Sequence, residues 1–262
     1  MTPAPVRERT RKDLQAMENS LLVSLSQQLA AYRSMDVIAN NIANVSTPGF
    51  RREEQTFQEY VAHLAPPEGQ AGIQDVSFVQ EGGIVRDMSQ GPRQATGAPL
   101  DLAIEGDGYF VVKTPAGDRY TRNGHFTLDA DGQIVDDAGD AVQGDGGTIS
   151  ISTDDGDIHF GPDGTISGKN GQIGKIRIVT FAHETALAKQ GANLYAAAEQ
   201  PTAAAGFTLT QGMLEASNVQ PVVEISRMID VMRAYQATAT LTESQENLLR
   251  QAIDKLGQTP QS

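Results

Sequence analysis

From Glu18 to Val45 the chain carries neither proline nor glycine, and Leu22, Leu25, Leu29, Tyr32, Met35, Ile38 and Ile42 recur at steps of three and four. That spacing lays one apolar stripe along an amphipathic helix. The helix is expected to stop at Ser46-Thr47-Pro48-Gly49, because Pro48 has no amide hydrogen and disfavours helix in the residue before it. The far end repeats the pattern with Val222, Ile225, Ile229, Met232, Tyr235 and Ala239, then Leu249, Ile253 and Leu256. A helix from Pro221 to Lys255 would be roughly 50 Å long, too long for the core of so small a domain.

Between these ends the period drops to two: Leu100, Leu102 and Ile104, Phe126 and Leu128, Ile149 and Ile151, Ile158 and Phe160, Ile176 and Ile178. Alternation of this kind marks half-buried strands. Asp107-Gly108, Asn123-Gly124, Asp131-Gly132, Asp145-Gly146 and Asp163-Gly164 suit the tight turns between them, since both residues of each pair tolerate positive φ. With no helical segment separating the strands, an antiparallel β domain is expected rather than alternating βα units. Asn123-Gly124 is expected to pair Tyr120-Thr121-Arg122 with His125-Phe126-Thr127. Gly106 and Gly108 should permit a bulge or a close backbone approach beside Tyr109 and Phe110.

The fold class that follows is mainly β with long terminal α-helices. The N- and C-terminal helices pair, antiparallel and coiled-coil-like, and the antiparallel β domain is inserted between them. Each helix keeps polar residues within its stripe, notably Asn40, Asn41, Asn44, Thr242 and Gln245, and each is longer than two-helix packing alone stabilises. Neighbouring copies or partner chains would supply the missing contacts; a monomer whose terminal helices clamp a β core is the plainer alternative.

Composition narrows the chemistry. The 262 residues, 39% of them apolar, support one or two domains with a real core, and the absence of cysteine excludes disulfides, Cys-ligated zinc, iron–sulfur clusters and thiol chemistry. Acids outnumber bases by 33 to 20, a net charge of −13 that should repel nucleic acid and anionic lipid. Most of that charge is local, since Asp101–Asn170 holds 14 acids, 4 bases and 13 of the 26 glycines. No apolar run approaches the roughly 18 residues of a membrane span, and no cleaved secretion signal is expected.

No constellation for catalysis emerges. His63, His125, His159 and His183 stand apart at spacings unlike a metal site, and neither a G-x-S-x-G elbow nor a G-x-x-x-x-G-K phosphate loop occurs. Asp129-Ala130-Asp131-Gly132 opens like a calcium loop, but Ile134 stands where the sharp turn needs glycine and no glutamate closes the loop. The expectation is no enzyme, no cofactor, no metal and no small-molecule substrate. A soluble calcium-binding or hydrolytic β domain is the rival reading.

Two long words at opposite ends point further. Met35 to Phe50, MDVIANNIANVSTPGF, resembles the N-terminal motif of the flagellar rod, hook and hook-associated proteins. Gly212 to Tyr235, with Leu214-Glu215-Ala216-Ser217-Asn218-Val219, Met228-Ile229 and Arg233-Ala234-Tyr235, resembles their C-terminal motif. Leu100 to Val111 and Tyr120 to Asp129 are similar to the β domain of the rod and hook group, so the resemblance covers about Met17 to Leu256. Pro48 departs from the family, many members of which carry threonine there.

The resemblance implies a structural subunit of the basal-body rod, most like the proximal type, with a distal rod or hook-type axial subunit as the alternative. Its helices would form an inner tubular layer around an export channel, with the β domain outside. Partners would be other rod proteins, copies of itself and the flagellar type III export apparatus, in a rod spanning the periplasm and reached without signal cleavage. Residues 1–16 precede the usual start of the family and are expected to be a disordered extension. The N-terminal helix then falls in 17–50, a linker in 51–72, the β-rich domain in 73–205 and the C-terminal helix in 206–262, with a protease-resistant core near 70–205. The matching residues with assembly or structural roles are Asn40, Asn41 and Asn44, which could fix helix register, Thr47 and Gly49 at the turn, and Gly106, Gly108, Tyr120, Arg122 and Gly124 in the β domain. Leu214, Glu215, Ser217 and Asn218 precede the last helix, where Ser217 or Asn218 could cap it. Ile229, Met232, Arg233 and Tyr235 lie on that helix, where Arg233 and Tyr235 could anchor a neighbour or simply face solvent.

Overall fold

The computed structural model describes residues 5–64 and 74–257, and the chain divides into two compact units. The helical unit is drawn from Met1–Asn40, Glu53–Val85 and Val222–Ser262, the β unit from Asn41–Arg52 and Arg86–Pro221.

In the helical unit α1 spans Pro5–Ala43 and α2 spans Pro221–Gly257. A proline opens each, at the one turn where its missing amide hydrogen leaves no bond unmade. The two helices contact each other. Gln245 Nε2 donates to Ser20 Oγ at 2.6 Å and Gln28 Nε2 donates to Thr242 Oγ1 at 3.2 Å. As α1 advances from Ser20 to Gln28, α2 recedes from Gln245 to Thr242, so the pair is antiparallel. α1 begins twelve residues before Met17, and Pro5–Ala16 is helical where a disordered extension was expected; residues 1–4 lie outside the described residues. The reason is local: from Val6 to Ala43 the chain holds neither proline nor glycine, and its first turns are rich in Arg, Glu, Lys, Leu and Gln.

A second departure is the expected linker. Glu53–Leu64 forms β1 and Gln74–Arg86 forms β2, a two-stranded sheet, with residues 65–73 outside the described part. Thr56, Phe57, Tyr60 and Val61 favour strand, but the Glu and Gln residues among them obscure the period. Thr56 Oγ1 donates across the pair to the Gly83 carbonyl at 2.9 Å.

In the β unit every strand pairing is antiparallel. It opens with β3 (Arg93–Ala95), β4 (Leu102–Glu105), β5 (Tyr109–Thr114) and β6 (Gly117–Thr121). β5 is the centre of the main sheet. It pairs with β6 (Val112 opposite Arg119), with Ala141–Gly144 (Val112 opposite Val142) and with Ile178–Thr180 (Ile178 opposite Phe110).

Its run Tyr109-Phe110-Val111-Val112 does not alternate in polarity because both faces are covered. Phe110 and Val112 enter one core with Leu102, Ile104, Phe126, Ile166 and Ile176. Tyr109 and Val111 enter a second with Tyr120, Val179, Phe181 and Tyr195. Most of the alternating residues expected in strands lie in the first core, while Leu128 remains 44% exposed.

Two boundaries move. Thr208–Gln211 pairs with β4, Leu209 opposite Ile104, and Met213–Glu215 pairs with β3, Leu214 opposite Gln94. The β unit therefore runs to Pro221 rather than to 205, and it takes in Asn41–Arg52, which were expected in the N-terminal helix segment up to 50 and in the linker from 51. Nor does Asn123-Gly124 close a hairpin. β6 pairs with β5 and Tyr195, Thr127–Leu128 pairs with Ile134–Val135, and His125 bridges to Asp101. Gly124 lies so close to the Leu102 carbonyl that a Cβ would stand 1.7 Å from its oxygen, and Gly124 O accepts from Leu102 N at 3.0 Å. That contact turns the chain across β4 instead of folding it back on itself.

Candidate functional site at a buried polar junction

The two terminal words and the β-domain word meet inside the β unit. After α1 the chain makes short turns, with Thr47 N donating to Asn44 O at 3.2 Å and Thr47 Oγ1 to Asn44 Oδ1 at 3.1 Å. At Gly49 φ is +68°, and a Cβ would stand 2.5 Å from the Arg122 carbonyl carbon, so only glycine fits. Gly49 N donates to Glu215 O at 2.7 Å. Asn193, itself at φ +59°, donates from Nδ2 to the Pro48 carbonyl at 2.8 Å.

Directly after this turn Arg51 points inward. Its Nη1 meets Glu215 Oε1 at 2.7 Å, and Arg122 Nη1 lies 3.5 Å from Glu215 Oε2; the side chains are only 2% to 3% exposed. Gly91 N also donates to Glu215 Oε1, at 3.1 Å. Two guanidinium groups thus face one carboxylate, leaving one positive charge in excess. Main-chain carbonyls meet it: Arg51 donates to Ser89 O, and Arg122 donates to Ile104 O at 3.3 Å and Gly106 O at 2.8 Å. The Tyr109 ring adds its negative face, 5.4 Å from the Arg122 guanidinium carbon. Burial pulls the Arg122 pKa below its ordinary value while the Glu215 charge opposes that shift.

Asn218 fastens the same place without charge. Its Oδ1 accepts from Arg52 N at 2.7 Å, and its Nδ2 donates to Asp87 O at 3.0 Å and Ser89 O at 2.9 Å. Neither Ser217 nor Asn218 caps α2, contrary to expectation. The helix starts later, at Pro221, and Ser217 Oγ accepts from Val219 N at 3.2 Å, making a local turn.

Three family profiles match the chain: "Flagella basal body rod protein" over residues 21–51, "Flagellar hook protein FlgE/F/G D1 domain" over 103–168 and "Flagellar basal body rod FlgEFG protein C-terminal" over 210–255. The flagellar basal-body rod protein FlgF of Caulobacter vibrioides is 41% identical over 92% of this chain and 99% of its own length. The chain belongs to the flagellar basal-body rod protein family. FlgF of Mesorhizobium japonicum is 34% identical over 92% of the chain, and the rod protein FlgG of Bacillus subtilis 35% over 91%. The protein is a FlgF-like structural subunit of the basal-body rod, in a non-enzymatic family, and assembles with rod proteins.

In this rod subunit the junction gathers Asn44, Thr47, Gly49, Gly106, Arg122, Glu215 and Asn218, with Gly124 one residue beyond the Arg122-Asn123 backbone that Gly49 abuts. Gly108 closes against Ile178, whose Cγ2 would lie 2.5 Å from a Cβ there, and Tyr120 packs in the second core. Asn41 is fully buried in the β unit and Leu214 half-buried on its strand. The remaining residues lie elsewhere, in the helical unit: Asn40, Ile229, Met232 and Arg233 exposed and Tyr235 half-buried. Arg51, Gly91 and Asn193 belong to the junction but were not singled out in the sequence. An arginine pair, Arg51-Arg52, immediately after a Pro-Gly turn was the available signal, and nothing local said that the first of the two goes inside.

Tyr109 gives the junction a pH signature. Its phenol donates to Glu184 Oε2 at 3.3 Å, and burial first, then the Glu184 charge, push its pKa well above the ordinary value. A raised tyrosine pKa contributes stability that is complete below the unfolded value of about 10 and is lost as pH climbs toward the folded value. Denaturation midpoints measured at pH 8 and pH 11 should therefore fall less in Tyr109→Phe than in the unaltered chain. An equal fall would place the alkaline sensitivity at other groups.

Proposed function

We propose that the chain is a proximal rod subunit of the FlgF type, joined through the apolar faces of α1 and α2 to copies of itself and to rod proteins of the FlgG, FlgB and FlgC types. One observation carries this reading. Leu22, Leu25, Leu29 and Tyr32 on α1, and Val222, Ile225, Ile229, Met232, Leu241 and Leu248 on α2, are 43% to 76% exposed. Leu22, Leu25, Leu29 and Tyr32, and likewise Val222, Ile225, Ile229 and Met232, follow one another at steps of three and four, the spacing of a helix seam, while Leu241 and Leu248 add apolar surface on another side of α2; apolar surface of this extent on a paired helix is an association surface. Head-to-tail contacts that do not close a ring build a helical array, in which many weak contacts share torque around a channel for exported chains. The flagellar type III export apparatus is the further partner of this reading.

A second reading, a distal FlgG-type position, has the similarity to FlgG of Bacillus subtilis in its favour. The test locates a tagged chain in purified basal bodies by electron microscopy. Label at the proximal rod is expected. Label along the distal rod or hook would transfer the chain to the second reading, and basal bodies without label in the axial structure would overturn both.

A further inference from the structure

We propose that the β unit seats its two flanks, Asn41–Arg52 and Phe207–Pro221, cooperatively, with the Glu215 carboxylate as their common fastener. The inference goes beyond the assembly reading and does not rest on it, because every group involved lies within one unit of one chain.

The flanks bind each other directly. Gly49 N donates to Glu215 O at 2.7 Å, Arg52 N donates to Asn218 Oδ1 at 2.7 Å, Asn218 N donates to Phe50 O at 3.4 Å, and Arg51 pairs with Glu215 at 2.7 Å. Each also binds the rest of the unit, but not alone in a satisfied state. Without the C-terminal flank, Arg51 and Arg122 would be buried beside one another without the one carboxylate that meets both, leaving only the charges of Asp87 on the Arg51 side and Glu184 on the Arg122 side, so the first flank could seat only with its cation poorly compensated. Without the N-terminal flank, Glu215 would keep Arg122 only through the 3.5 Å ion pair, in which its Oε2 makes no hydrogen bond among the described residues.

Asn218 repeats the logic in neutral form, since one amide spans Arg52 of the first flank and both Asp87 and Ser89 of the body. Each flank therefore raises the affinity of the unit for the other, and the effect is reciprocal by linkage. Release of the segment leaving α1 therefore favours release of the segment entering α2, and the reverse.

Amide hydrogen exchange by mass spectrometry on the full chain tests this, read at amides whose acceptors lie away from the opposite flank. Those are Gly212, which donates to Asp101 O, and Ala216, which donates to Pro92 O, on the C-terminal side, and Thr47 and Phe50 on the N-terminal side. Arg51→Met should speed exchange at Gly212 and Ala216 by about tenfold or more, although it alters neither, and Glu215→Gln should do the same at Thr47 and Phe50, with β5 amides unchanged. Should Glu215→Gln loosen the whole unit, Asn218→Ala, which strands no charge, must raise exchange on both flanks and spare β5. Faster exchange confined to the altered flank in Arg51→Met and Asn218→Ala would overturn the proposal, as would an equal rise in β5 in every variant.

Discussion

A chain carrying Ile229→Asp should fold as the unaltered chain does and fail to enter the rod. Ile229 is 43% exposed on α2, in a seam with Ile225 and Met232, so the single chain loses little by the change. A surface substitution of this kind costs within about 0.5 kcal/mol, with a few tenths more for the poorer helix propensity of Asp. Inside an assembly that covers the seam, the same carboxylate would be desolvated with no partner, at a cost of several kcal/mol for each contact. Because the contact recurs at every subunit of a helical array, the penalty accumulates with length. Circular dichroism melts should coincide within a few degrees, while soft-agar motility and rods in purified basal bodies should be lost; Ile229→Leu should retain both. Swimming cells with normal rods would remove the terminal helices from the assembly interface.

The largest loss of intrinsic stability should come from Glu215→Ala. The carboxylate is 3% exposed and is the counter-charge of Arg51 at 2.7 Å and of Arg122 at 3.5 Å. Removing one member of a buried ion cluster costs about 3–5 kcal/mol, because the charges left behind stay desolvated. Domains are stable by only about 5–15 kcal/mol, so roughly a fifth or more of the stability of the β unit is at stake.

The chain has no tryptophan, and Tyr109, Tyr120 and Tyr195 are buried in one cluster of the β unit, so tyrosine fluorescence in urea follows its transition. Glu215→Asp should recover little, since a side chain shorter by one methylene cannot hold both guanidinium groups and Gly91 N. Replacing all three charged residues with apolar ones of similar volume should cost less than Glu215→Ala alone. A loss below about 1 kcal/mol for Glu215→Ala would mean that the cluster is effectively solvated.

The same cluster bears on where the β unit can be cut. A fragment limited to 70–205 would leave Arg122 without Glu215 and deprive β3 and β4 of their C-terminal partner strands. The smallest self-sufficient piece runs through both flanks, so the sequence-based boundary at 205 fell inside a packed unit. The strands beyond it are only four and three residues long, too short for a period of two to stand out.

Periodicity carried much of the fold. The step of three and four from Leu22 to Ile42 and from Val222 to Ala239 is a local property of a 1.5 Å rise, and helix follows wherever nothing interrupts it. That is also why α1 extends to Pro5. Alternation marks Leu102, Ile104, Phe126, Ile149, Ile176 and Ile178 as strand residues, and all six lie in the β core. The terminal words, being long and specific, carried the family.

Local pattern could not say which turn residues pair which strands. Asn123-Gly124 has the composition of a hairpin turn, and only the approach of Gly124 to the Leu102 carbonyl makes it a corner. Nor could it say which charges go inside. Arg51 and Arg52 are adjacent and chemically alike; Arg51 is 2% exposed and Arg52 remains half-exposed, because Glu215, from the other end of the chain, arrives beside the first. The sequence by itself determined the two long helices, the strands whose residues alternate, the acidic middle and the family, all of which rest on neighbours a few residues apart or on whole words. The tertiary structure alone decided that Arg51, Arg122 and Glu215 share one buried site, because desolvating a charge is tolerable only where distant segments bring its counter-ion, and no period in the chain records that meeting.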